Sequence, residues 1–417
     1  TTGTENVSTG GFALDANTTG SYNTALGSRA LGSNVGANNN TAVGRSALTA
    51  NSNGGNNTAV GYEALVSNTT ADNNTAMGYS ALGANTTGTG NLAIGSYALD
   101  ANTTADYNTA VGHVALTNNS TGTKNTAVGS QALDANTTAD NNTAVGYNAL
   151  AANTTGANNV ALGAYALDAS NSNNNVAIGI YAASSTTSGD NLVAVGRYAL
   201  KENTTGAGNV AVGLNALENN TTASNNTALG TQALEANTTG TQNVAVGANA
   251  LDANTTADNN IAIGHNSLGG TTTGSANVSV GSQALRANTN GQTNTAVGNE
   301  ALLSNTTGTN NVAIGAYALQ ANTTSGANTA IGRYALYAST AANNTAVGYN
   351  ALVSNTTGTQ NVAVGAYALD AITPGTTCTA VGYQALTANT ASNNAAFGST
   401  ALSTNTTGAQ NSAFGHA

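Results

Sequence analysis

Apolar and polar positions recur along this chain in one fixed frame. The frame is Asn-Thr-Ala-Val-Gly-x-x-Ala-Leu, clean at residues 57–65, 142–150 and 344–352, and a polar connector such as Ala152-Asn153-Thr154-Thr155-Gly156 follows it. Its glycine occurs 25 times, from Gly10 to Gly415, at intervals of 17 residues except for three of 16 that end at Gly179, Gly348 and Gly398. Four residues before the glycine stands Asn, except at Leu192 and Cys378; two before stands Ala, except at Ser8 and Ser279. Three after stands Ala, except at Ser267, and four after stands Leu, except at Ala183. Seven after, Asn occupies 19 of the 24 copies that reach that far.

This pattern argues against helices. Val, Thr and Asn are weak helix formers, and a glycine interrupts every apolar segment. Short Thr-Ala-Val and Ala-Leu runs between Gly and Asn-Thr-Thr-Gly read instead as brief strands and turns. One 17-residue unit cannot bury its apolar side alone, whereas stacked units can. The expected fold is therefore all-β: a parallel β-solenoid of about 25 coils, one continuous array over residues 1–417, with no globular domain and no capping segment at either end. In such a stack the Asn column bonds side chain to side chain, Gly allows a positive φ or a close backbone approach, and Val and Leu columns supply a dry core. Strand alternation leaves two arrangements open. Either Val faces in and an Ala/Gly stripe faces out, or Ala faces in and a Thr/Val stripe faces out. Both leave a long uncharged stripe, which marks an interface and predicts that chains associate side by side.

The motif Asn-x-Ala-Val/Ile-Gly-x-x-Ala, as in residues 311–318, resembles the YadA-like head repeats of trimeric autotransporter adhesins and the related repeats of phage-type tail fibres and bacterial surface fibres. The resemblance covers the whole chain. It implies a left-handed parallel β-roll, a homotrimer, an extracellular, cell-surface or virion location, and adhesion to a host glycan or surface receptor. The repeat here is longer than the usual head repeat of that family by its Asn-Thr-Thr-Gly connector.

Composition narrows the function. Only 6% of residues are charged, the net charge is −10, and the seven Lys and Arg are scattered singly, so no basic patch for nucleic acid is present. No apolar run approaches the ~18 residues of a membrane helix. The single Cys378 excludes an intrachain disulfide framework. It shares an atypical connector, residues 371–379, with Ile372 and Pro374, which reads as a local ladder defect.

Candidate chemistry is sparse. His113, His265 and His416 each follow an anchor glycine and lie many coils apart, so they read as surface residues. No nucleophile–base set, paired catalytic carboxylates or phosphate loop stands out, and the chain is expected to be no enzyme and to hold no cofactor. Glu218, Glu235 and Asp252 share an offset in successive coils; Asp72, Asp106 and Asp140 share another in alternate coils. These rows read as solvated faces, with Ca²⁺ binding as the sharper alternative. Twelve of the 15 Tyr follow the glycine by one or two residues, among them Tyr62, Tyr79, Tyr147, Tyr165, Tyr181, Tyr198, Tyr317 and Tyr349. They form an aromatic edge that suits cross-coil packing or contact with a glycan or receptor. The connectors carry Asn-x-Thr sequons at Asn17, Asn68, Asn85, Asn102, Asn136, Asn153, Asn203, Asn220, Asn237, Asn254, Asn305, Asn322, Asn355 and Asn405, with further ones such as Asn73 and Asn141. An exposed turn there would accept a glycan; turn chemistry is the plainer reading. Connectors also alternate between Thr-Thr-Gly and Thr-Thr-Ala, which suggests growth by two-coil duplication. The function expected is a structural extracellular fibre segment. The alternatives are a filament subunit that polymerises head to tail with glycan-decorated turns, and an ice-binding solenoid.

Overall fold

The computed structural model describes residues 2–416 and contains no helix among them. Thr1 and Ala417, where the expectation of uncapped ends falls, lie outside the described residues. The contacts divide the chain into two compact units, Thr1–Gly208 and Asn209–Ala417. Each is a stack of coils built on three-residue strands. The first unit carries twelve, from Val7–Thr9 to Val193–Val195, and the second thirteen, from Val210–Val212 to Ser412–Phe414.

Within each unit successive strands pair in parallel and in register. Thr143, Ala144 and Val145 face Val160, Ala161 and Leu162. Thr295, Ala296 and Val297 likewise face Val312, Ala313 and Ile314. The parallel β-solenoid read from the sequence is thus the fold of both units. Pairing continues around the coil beyond the strand: the Leu150 N–H donates to the Ala166 carbonyl at 2.9 Å, and the Ala152 N–H to the Asp168 carbonyl at 2.9 Å. Non-strand backbone is therefore hydrogen-bonded almost as a strand is, which a coil with buried backbone requires.

Three corners per coil hold non-glycine residues at positive φ, as at Asn141 (φ 59), Asn148 (φ 52) and Leu150 (φ 53). Asn tolerates this region, which explains its frequency just before the ladder position. Leu does not, and it is held there by complete burial. The anchor corner is stricter. Gly146 has φ 138, and a Cβ placed on it would stand 2.6 Å from the carbonyl carbon of Gly163 in the next coil.

The interior settles the choice of facing. The middle residue of every strand from Ala25 to Ala396 is fully buried, and so are the Ala and Leu three and four positions after the glycine, as at Ala149 and Leu150. Thr143 and Val145, which flank Ala144, are only half-buried. The core is therefore two alanine columns and one leucine column. The Val column, expected in the core, faces outward, because a coil this narrow has room only for methyl groups beside its single leucine. The 16-residue intervals lose their residue in the connector. At the first, Ser170 and Ser172 bond each other at 2.8 Å and fill the space of a missing ladder amide.

Candidate interaction surfaces

The connector asparagines are core residues. Asn68, Asn85, Asn102, Asn136, Asn153, Asn203, Asn220, Asn237, Asn254, Asn305, Asn322 and Asn355 are fully buried. Asn17 and Asn405 are half-buried. Each of the fourteen donates its Nδ2 to the carbonyl three residues on, as Asn68 does to Ala71 at 3.0 Å. A glycan is attached through that nitrogen. The alternative of glycan-bearing connectors is therefore corrected: the Asn-Thr-Thr turn points its Asn inward, where its Nδ2 is committed to a local carbonyl. Asn73 and Asn141, at a different corner, are exposed.

Two asparagine ladders run through the interior. In the connector ladder Nδ2 also donates along the stack, Asn136 to Asn119 Oδ1 at 2.8 Å and Asn322 to Asn305 Oδ1 at 2.9 Å. In the ladder before the strand, Oδ1 accepts from the backbone of the next coil. The Asn159 N–H donates to Asn142 Oδ1 at 2.9 Å, while Asn142 Nδ2 donates to the Gly156 carbonyl at 2.8 Å. Both ladders together pair the backbone groups that a narrow polar corner would otherwise orphan. The first connector Thr adds a hydroxyl bond, as from Thr86 to the Thr103 carbonyl at 3.0 Å.

A third polar column was visible in the sequence as an acidic row, but its bonding was not. The carboxylates of Asp72, Asp106, Asp140, Asp190 and Asp258 each accept the backbone N–H of the equivalent residue one coil earlier, for example Thr123 N–H to Asp140 Oδ1 at 2.6 Å. The signal was present as the alternation of connectors. An Asp in one coil serves a Thr, Gly or Asn in the coil before it, so the pair of coils is a hydrogen-bonding unit.

The acidic row five residues after the glycine is different. Burial pushes the carboxyls of Asp100, Asp134, Asp168, Asp252 and Asp370 above their ordinary range. Asp252, Asn266, Gly269, Gly270 and Arg286 line a small open notch. No group of three or more His, Cys, Asp or Glu among the described residues is placed to hold a metal ion. His113, His265 and His416 are exposed and far apart in sequence.

The tyrosines form contact series. In the first unit Tyr62 stacks on Tyr79 at 5.2 Å and Tyr79 meets Tyr97 edge-on; Tyr147, Tyr165, Tyr181 and Tyr198 make a run of four. In the second unit Tyr317 stacks on Tyr334 at 5.1 Å, and Tyr349, Tyr367 and Tyr383 make a fourth series, of edge contacts. Arg45, Arg197 and Arg333 lie over the rings of Tyr62, Tyr198 and Tyr334. Ring faces are thus largely taken by neighbours. The hydroxyls of Tyr198 and Tyr334 also accept from Arg197 and Arg333, at 2.9 and 3.2 Å, whereas stacking on a sugar ring needs a free face.

The remaining surface is the strand face. Its outward residues are Thr, Val, Ile, Leu, Met and Phe, and the larger ones at the third strand position run from 36% exposed at Ile94 to 42% at Met77 in the first unit. In the second unit Leu229, Ile263, Ile314 and Ile331 are equally open. No strand contains a charged residue, although the chain has 17 Asp and Glu and seven Lys and Arg. Among the described residues no helix is long and apolar enough to cross a membrane. No family model matches this chain, and no curated protein matches it.

Proposed function

We propose that this chain is a structural protein that assembles laterally with copies of itself into an extracellular fibre. The observation that carries the reading is the strand face: partly open, built of aliphatic residues and Thr and free of charge in both units, while every charged side chain lies elsewhere on the coil. A contiguous apolar surface of this kind is stable in water when another surface covers it. The face is also repetitive, so a second copy presents a complementary one at every coil. The homotrimer implied by the resemblance to autotransporter heads and tail fibres is one closed arrangement of such faces. The buried connector asparagines remove glycan decoration of those turns from the proposal.

Sedimentation of the purified chain tests it. The expected result is a discrete oligomer that persists on dilution. Lysine at Val246, Ile263 and Val280 places three charges on adjacent coils of that face, and should weaken association by at least about tenfold for each interface lysine, roughly 1.4 kcal/mol. Circular dichroism should be unchanged, since these side chains face outward. A chain that sediments as a monomer at high concentration removes the reading.

A further inference from the structure

The tyrosine columns point to a chemistry independent of that assembly. We propose that they are sites of oxidative cross-linking, where phenols one coil apart couple to dityrosine and staple neighbouring coils together.

Geometry comes first. Tyr62 and Tyr79, Tyr165 and Tyr181, and Tyr317 and Tyr334 occupy the same position in successive coils, with ring centroids 5.2, 4.9 and 5.1 Å apart and planes within 8°, 3° and 12° of parallel. Equivalent residues of parallel coils project in the same direction. The rings therefore lie over one another with centroids close to the ~4.8 Å spacing of adjacent strands. The carbons beside each hydroxyl, where a phenoxyl radical carries spin density, are thus brought together before any oxidant arrives.

Access and competition come next. Tyr79 and Tyr147 are exposed in the first unit, and so is Tyr337, which meets Tyr334 edge-on, in the second, so a diffusing oxidant reaches each of these series from solvent. The chain has no Trp, one Met and one Cys, and that Cys378 is buried. The side chains that normally absorb oxidising equivalents are almost absent, which leaves tyrosine to take them.

The step balances with a peroxidase-type haem oxidant and hydrogen peroxide. Each phenol loses one electron and one proton. The two phenoxyl radicals join through ring carbons ortho to oxygen. The ring hydrogens at those carbons then move to the oxygens and restore both aromatic rings. The two electrons and two protons released reduce one hydrogen peroxide to two waters. The product is a covalent bridge closing a single coil, which hinders separation of that coil from its neighbour.

The test treats the full chain, dilute enough that chains rarely meet, with a haem peroxidase and hydrogen peroxide, and maps linked peptides by mass after digestion. The expected products are chains lighter by two hydrogens per link, with bridges at Tyr62–Tyr79, Tyr165–Tyr181 and Tyr317–Tyr334. Their yield should exceed any bridge to Tyr22 or Tyr107 at least tenfold, although those two are more exposed, at 57% and 63%. Tyr334→Phe keeps a ring in the stack but removes the phenol. It should abolish the bridge to Tyr317 and leave the other two intact. Links that fall mainly between chains, a yield no greater than at Tyr22 and Tyr107, or the same pattern from chain unfolded in denaturant would each overturn the proposal.

Discussion

The glycine corner and the asparagine ladder sit a few residues apart in every coil, yet they tolerate change very differently. The glycine is replaced nowhere in 25 copies, while the ladder asparagine before the strand gives way at Leu192 and Cys378. The corner is a steric constraint met in only one way. From Gly10 to Gly398, φ lies between 129 and 144, and a Cβ would stand 2.2 to 2.7 Å from backbone of the next coil. The ladder is a hydrogen-bonding requirement, and other groups can meet it. At position 378 the backbone N–H still donates to Asn361 Oδ1 at 2.9 Å, and the sulfur takes over the approach to the Ala391 carbonyl at 3.2 Å. The connector ladder shows the cost when nothing takes over. Thr271 and Ser339 replace the next Asn in line, and Asn254 Oδ1 and Asn322 Oδ1 are left buried without a partner. Before Ile372, by contrast, Asn355 Oδ1 accepts the Gly358 N–H at 3.0 Å.

The comparison breaks most readily at the corner. Gly146→Ala should cost about 4 kcal/mol or more, because the methyl group meets backbone and the φ is unfavourable at once. Hydrogen exchange should show the coils around residue 146 opening while more distant coils stay protected. Gly415→Ala separates the two causes, since φ is 125 there but nothing lies within 4 Å of the added Cβ. It should cost only about 1 kcal/mol. Equal losses at both sites would mean that the φ alone makes the corner strict.

At the ladder the expected effects are smaller. Asn142→Ala orphans the Asn159 N–H and should cost about 1–3 kcal/mol in denaturant titration. Moving the local solution of positions 372 and 378 to the equivalent sites, as Asn136→Ile with Asn142→Cys, should cost less than the sum of the two single changes by about 1 kcal/mol. Additive losses would show that the replacement at Cys378 depends on more than the two side chains.

The smallest effect concerns the half-buried acidic row. Burial raises the Asp168 carboxyl, so the folded chain holds that proton more tightly than the unfolded chain. Its unfavourable contribution is absent below the ordinary carboxylate range and grows as pH rises through the raised value. Asp168→Asn should therefore raise Tm slightly at neutral pH and flatten its dependence on acid pH. A Tm that falls at neutral pH instead would show that the carboxylate is favourably placed.

Much of this architecture was legible in the sequence because each constraint repeats in phase. The period gave the coil, and the invariant glycine marked a corner that only glycine fits. What stayed hidden followed from symmetries in the pattern. Thr143, Ala144 and Val145 alternate faces equally well with Val in or Ala in, and only the coil's width decides. Asn153-Thr154-Thr155-Gly156 has the composition of a solvent-exposed turn, and nothing local shows that its Asn is turned inward to pair the Gly156 carbonyl. The Asp140 column read as a solvated face because its partner, the Thr123 N–H, is a backbone group with no sequence signature. The tyrosine edge was visible, but the occupation of its ring faces by Tyr and Arg neighbours required coordinates.

The ladders have a consequence for how such a chain changes length. An interior coil offers its successor the same acceptors that it received from its predecessor, as Asn125, Asn142 and Asn159 do in turn. Inserting or deleting a pair of coils therefore creates no new kind of junction in these ladders. Coil number is thus a quantity that the ladders leave open, since every added pair would find donors and acceptors of the kind already present.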